Sequence, residues 1–166
     1  MTRARAIALW LLVIFVGIQF GAGWYEKVIV VHLWEQVPPA ETLAAMTDSG
    51  FERAGTAFWP FVSPMVALLA LVNIGFAWRA PGPMRRWWLA AALLMTTYAV
   101  VSYGWFVPQM VLFQRDGADW SPDRIADFVE LWTSANYARM ALGGVGWLCA
   151  LRALSLSGDR ARPLAD

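Results

Sequence analysis

At 166 residues, with 59% hydrophobic and only 15% charged residues and a mean hydropathy of +0.49, the chain is not an ordinary soluble domain, which carries about 25% charge. The net charge of +1 comes without a basic stripe for nucleic acid, and the single Cys149 allows no internal disulfide. The apolar residues fall in blocks long enough to cross a bilayer, so residues 1–166 read as one integral membrane domain in contact with lipid.

The first block runs from about Ala6 to Tyr25 or slightly beyond. Its basic start and the small residues that follow also fit a signal peptide, but an internal repeat described below accounts for the segment better. Beyond it lie Tyr25, Glu26, His32 and Glu35. Glu26 beside Lys27 reads as an exposed ion pair, with an inward-pointing carboxylate as the alternative. His32 has the intrinsic pKa of a general base, and with Glu35 three residues on it supplies two ligands where zinc takes three or four, so no metal site is assigned.

The connection that follows contains VPPAETLAAM, a proline start with good helix formers that predicts a short surface helix, broken by TDSG. The second span covers about residues 57–78, with Pro60 and Pro64 expected to bend its outer end. RAPGPMRR makes a tight basic turn into the third span, about residues 87–107, which Pro108 is expected to bend or stop. Ser121-Pro122-Asp123 has the form of a helix start, and the pattern then runs on through the fourth span, about residues 137–156. These elements predict an all-α bundle of four transmembrane helices.

Arg3, Arg5, Arg79, Arg85, Arg86, Arg152, Arg160 and Arg162 flank one end of the spans, while ten of the twelve acids lie in the two connections at the other. The positive-inside rule therefore places both termini in the cytoplasm of a multi-pass protein of the inner cell membrane. Two gapless alignments suggest a parallel two-plus-two repeat: Trp59 placed on Trp132, and Trp10 placed on Trp88 with Tyr25 on Tyr103.

Polar residues concentrate in the outer half. Gln19, Ser63, Ser102, Tyr103, Asn136 and Arg139 fall there at 1.5 Å rise per residue, with Gln109 nearer the surface and Asn73 the main polar group of the inner half. Trp132, Asn136, Arg139, Gly143 and Gly146 are spaced i, i+4, i+7, i+11 and i+14 and so share one helix face. An arginine inside an apolar helix costs about 2.5–3.5 kcal/mol on insertion scales, so Arg139 should face protein or water. The expectation is a polar cavity opening outward, walled by Trp24, Tyr25, Tyr103 and Trp132 and suited to a flat apolar ligand. The bland alternatives are an Arg139 that snorkels or pairs with Glu26, and an Asn136 that bonds helices together. Haem or di-iron ligation needs more histidines or inward carboxylates than the spans contain.

GAGWYEKVIV, VPQMVL and above all ELWTSANYARMALG give the chain a resemblance, over essentially its whole length, to the anthrone-oxygenase-like family of small four-span membrane proteins. The last motif is similar to that family's tryptophan, then His or Asn four on, then arginine; here the middle position is Asn136. The resemblance implies oxidation of a lipophilic aromatic or quinone-like compound by molecular oxygen without a cofactor. In that scheme Arg139 and Asn136 hold an oxyanion, Glu26 or His32 takes a proton, and Trp132, Tyr103, Tyr25, Trp24, Gln109 and Gln19 contact the ligand. The competing reading is a non-catalytic lipid or small-molecule binder, or an accessory subunit, acting as a homo-oligomer or beside a partner membrane subunit.

Overall fold

The computed structural model describes residues 2–158. Four long helices form the frame: α1 (Arg3–Glu35), α4 (Trp59–Trp78), α5 (Gly82–Asp119) and α6 (Pro122–Gly158), with two short helices, α2 (Thr42–Asp48) and α3 (Phe51–Ala57), between α1 and α4. All four long helices are apolar enough over at least one window to cross a membrane, and the chain is a multi-pass membrane protein. Each long helix packs on its neighbour in sequence, and α6 closes the ring on α1, giving an up-down-up-down bundle. At the basal end α1 begins, the α4–α5 turn lies and α6 finishes; the opposite end carries a cap.

Three of the four helices exceed the predicted spans. The apolar blocks at 6–25, 87–107 and 137–156 mark only the lipid-facing stretches, whereas backbone bonding continues through the polar residues beyond them. Helix α6 runs unbroken from Pro122, as the Ser121-Pro122 start predicts; Ser121 Oγ accepts from the Arg124 N–H at 3.3 Å. Pro108 neither stops nor interrupts α5. Its missing N–H and its ring concern the carbonyl of Gly104, and that carbonyl lies in a π-helical segment, Ser102–Phe106, whose wider turn absorbs the proline. Helix α1 has a π-segment of its own at Glu26–Val31. The predicted surface helix is present as a short 3₁₀ turn, Pro39–Glu41, followed by α2. Gly50, at φ 75°, sits in the left-handed region that only glycine adopts freely, and there the chain turns into α3.

Two apolar cores result. The basal core joins Leu9, Leu12, Val16, Val66, Ala70, Trp88, Met95 and Ala150 across all four helices. Asn73 lies fully buried within it and is hydrogen-bonded on both sides of its amide: Nδ2 donates to the carbonyls of Ala8 (3.1 Å) and Leu69 (2.8 Å), and Oδ1 accepts from Trp88 Nε1 at 2.7 Å. The cap core joins Val31 and Trp34 of α1, Met46 of α2 and Phe51 of α3 to Phe106, Phe113, Ile125 and Trp132. Small residues let the helices approach: a Cβ on Gly143 would meet the Tyr98 ring at 3.3 Å, and one on Gly146 would meet Met95 Sδ at 2.8 Å.

Candidate functional site: a buried polar layer between two apolar cores

Between the two cores, at the level of both π-segments, the bundle buries Gln19, Glu26, Lys27, Ser102 and Asn136 and half-buries Arg139. The predicted face of α6 points inward along its length, with Trp132, Asn136, Gly143 and Gly146 all buried. Arg139 lies across this face. Its Nε and Nη2 donate to Asn136 Oδ1 at 3.0 and 2.7 Å, which fixes the guanidinium plane, and Nη1 reaches Ser102 Oγ at 3.5 Å. The cation sits over the rings of Phe106 (4.4 Å) and Tyr98 (5.5 Å). Two of its five N–H donors are committed to Asn136, so the guanidinium keeps capacity for a further acceptor.

Glu26 enters the same layer from α1. It accepts from Trp59 Nε1 at 2.6 Å, and the Arg139 charge bears on it. Among the described residues no ion pair closes between Glu26 and Arg139. A carboxylate and a guanidinium thus share one low-dielectric layer, each held by a neutral partner and not by the other.

Glu26 and Lys27 are not the exposed pair expected of adjacent opposite charges. Both are buried, and they have separate partners: Lys27 Nζ pairs with Glu35 and lies 4.8 Å from the Tyr137 ring centroid. The π-segment explains how two consecutive residues are both inward, because its wider turn brings neighbouring side chains closer in direction than an α-turn does. His32 is more than half exposed and its Nδ1 stands 3.5 Å from Glu35 Oε1, so it belongs to the rim of the Lys27–Glu35 pair and not to the Arg139 layer.

The two hairpins share one device. In each, a tryptophan of the second helix donates to the π-segment of the first: Trp59, at the start of α4, to Glu26, and Trp132 Nε1, three turns into α6, to the Phe106 carbonyl at 3.4 Å. These two tryptophans are the pair that the suggested repeat aligns. The other aligned pair differs in setting, for Trp10 is half exposed and Trp88 fully buried.

Of the expected wall, Trp132 is buried in the cap, in ring contact with Trp34, Phe51 and Phe106. Tyr25, Trp24 and Tyr103 are exposed on the outside of the bundle, where the lipid would be, and Gln109 is half-buried. The rings that face Arg139 are Tyr98 and Phe106, which sequence reasoning missed along with Lys27 and Trp59. For Tyr98 the available signal was its spacing: with Ala91 and Met95 it falls on one stripe of α5.

Gln19 is buried, and its Oε1 has no hydrogen-bond partner. It lines a space of about 10 Å³ with Val16, Phe20, Met95, Tyr98 and Met140, about the room the centre of one water molecule needs. A separate cleft of about 350 Å³ opens in the cap, between the end of α1 and the start of α6, lined by Glu35, Thr42, Glu130 and Thr133.

Compared with models of known protein families, with functionally characterised proteins and with solved structures, the chain matches none.

Proposed function

We infer that this multi-pass membrane protein binds a lipophilic ring compound carrying an acidic C–H or O–H, and that Glu26 and Arg139 act on it as base and oxyanion partner. One observation carries the reading: a buried carboxylate and a half-buried guanidinium in one layer that do not close an ion pair with each other. A structural ion pair would close. An open pair leaves the carboxylate to take a proton and the guanidinium to hold the negative charge that proton loss creates.

The resemblance to anthrone-oxygenase-like proteins supplies the reaction that fits this chemistry. Glu26 removes a ring C–H proton from an anthrone; the electron pair moves to the ketone oxygen, which becomes an enolate held by Arg139, with Asn136 fixing the guanidinium. The electron-rich enolate reduces dioxygen, a C–O bond forms at the deprotonated carbon, the peroxide takes the proton back from Glu26, and loss of water from the hydroperoxide leaves the quinone. One dioxygen is consumed and one water released per anthrone. Gln19 Oε1, buried without a donor, accepts from a hydroxyl of the ligand. The arginine-rich basal end faces the cytoplasm, and the layer lies toward the outer leaflet of the inner membrane.

A second reading rests on volume. Small-molecule sites measure about 300–1,000 Å³, and the space beside Gln19 is about 10 Å³. On that reading the layer fixes the register between bundle and cap in a non-catalytic binder or accessory subunit. On the first reading the helices part at the π-segments to admit the ring.

The discriminating experiment is native mass spectrometry of protein purified in mild detergent, with extraction and identification of the small molecules that accompany it. A flat aromatic or quinone retained by wild type and absent from folded Arg139→Leu supports the ligand site. Bulk phospholipid alone in both, or a co-purifying subunit, supports the second reading.

A further inference from the structure

We propose that the basal end of α4 is a binding site for an anionic phospholipid. A groove of about 340 Å³ runs down the outside of α4, lined by Val72, Ile74, Gly75, Phe76, Trp78 and Arg79. It lies between two i, i+4 ridges, Val72–Phe76 and Ile74–Trp78, and Gly75 forms part of its floor: a Cβ there would meet nothing within 4 Å. Val72, Gly75, Trp78 and Arg79 are exposed while Asn73 and Ala77 on the other side of the helix are buried, so this face is turned to the bilayer.

The groove ends in positive charge. Arg79 lines its mouth, and the Arg85 guanidinium lies 5.2 Å from the Trp78 ring centroid, beside it. Arg5 joins the same end, its Nη1 donating to the Arg79 carbonyl at 3.4 Å. Among the described residues no acid offsets them at this end, because neither Asp nor Glu occurs between positions 2 and 25, 53 and 115, or 131 and 158. An apolar groove of chain-like shape, closed at the membrane surface by an interfacial tryptophan and by guanidinium groups that form no ion pair among the described residues, matches an acyl chain below a phosphate headgroup. A second copy of the chain would bring the same arginines face to face, and its helix would have to cross at Gly75 against that repulsion.

The test is native mass spectrometry of protein equilibrated with equal amounts of phosphatidylglycerol and phosphatidylcholine. Wild type is expected to retain phosphatidylglycerol in preference, and Arg79→Gln and Arg85→Gln each to lower that preference about fivefold. Gly75→Leu, which fills the groove and leaves the arginines in place, is expected to lower phosphatidylglycerol retention as well. All three positions are exposed, and melting temperatures in the same detergent check that the variants remain folded. As a measurement that needs no variant, phosphatidylglycerol brominated on its acyl chain is expected to quench tryptophan fluorescence more than brominated phosphatidylcholine. Equal retention of both lipids, equal quenching by both, or phosphatidylglycerol retention undiminished in Gly75→Leu overturns the proposal. So does a lipid-free dimer that Gly75→Leu dissociates, which would assign the groove to a second copy.

Discussion

The indole of Trp59 donates to the Glu26 carboxylate at 2.6 Å, and this bond ties the first turn of α4 to the π-segment of α1. It has a carboxylate acceptor where the matching bond of Trp132 in the other hairpin has the Phe106 backbone carbonyl. Removing the donor leaves a buried carboxylate oxygen without a partner, at a cost of about 1–3 kcal/mol. Trp59→Phe is therefore expected to lower the unfolding midpoint in detergent and to weaken any activity that depends on Glu26 being aimed into the bundle. An unchanged midpoint would show that water replaces the indole.

The Asn73–Trp88 bond in the basal core is expected to behave asymmetrically. Trp88→Phe leaves Asn73 Oδ1 unsatisfied and is expected to cost about 1–3 kcal/mol. Adding Asn73→Leu removes the orphaned acceptor along with its own bonds to α1 and α4. A double-mutant cycle by denaturant titration should give a coupling energy near 0.6 kcal/mol, the average for interhelical polar pairs in membranes, and not above about 2 kcal/mol.

Lys27→Met is expected to destabilise by about 3 kcal/mol. That is the low end for breaking a buried pair, because the Glu35 side chain left behind keeps some contact with solvent. The double variant Lys27→Met/Glu35→Gln should recover most of the loss, measured by thermal unfolding. A Lys27→Met variant as stable as wild type would mean that the pair contributes nothing net.

Gln19→Met is expected to separate stability from function. Replacing a buried amide that lacks a partner removes a desolvation cost of about 1–3 kcal/mol, so the melting temperature should rise or hold. Binding of a hydroxylated ring compound should fall at the same time, as read by ligand-induced quenching of tryptophan fluorescence. A fall in stability would show that Gln19 already has a structural partner.

The spans and the inward face of α6 were legible in the sequence because both depend on local periodicity: apolar blocks of about 20 residues, and the 3.6-residue spacing that puts Trp132, Asn136, Arg139, Gly143 and Gly146 in line. What was not legible depends on departures from that period. Lys27 and Glu26 look like a surface pair as long as the helix is taken to be α throughout, and only the π-segment turns both inward. Tyr25 and Tyr103 suffer the opposite error, for polar aromatic residues near a bilayer surface suit a ligand wall and a lipid interface equally well. The cap core was invisible for a different reason: Trp34, Phe51, Phe113 and Trp132 come from four separated segments, and nothing in their spacing announces that they meet.

The proposed acid–base role of Glu26 and Arg139 is what sets their open layer apart from a closed structural pair. It is tested most directly by oxygen uptake with an anthrone, using protein reconstituted in lipid nanodiscs, for wild type, Glu26→Gln, Arg139→Lys and Arg139→Leu, with melting temperatures taken in parallel. Wild type is expected to take up one dioxygen per anthrone, above the rate of empty nanodiscs. The enhancement should fall at least about 100-fold in Glu26→Gln and Arg139→Leu, the scale of a lost general base or oxyanion donor, and less in Arg139→Lys, which keeps the charge but loses the forked bond to Asn136. Uptake equal to that of empty nanodiscs in wild type, or undiminished in folded Arg139→Leu, would contradict it.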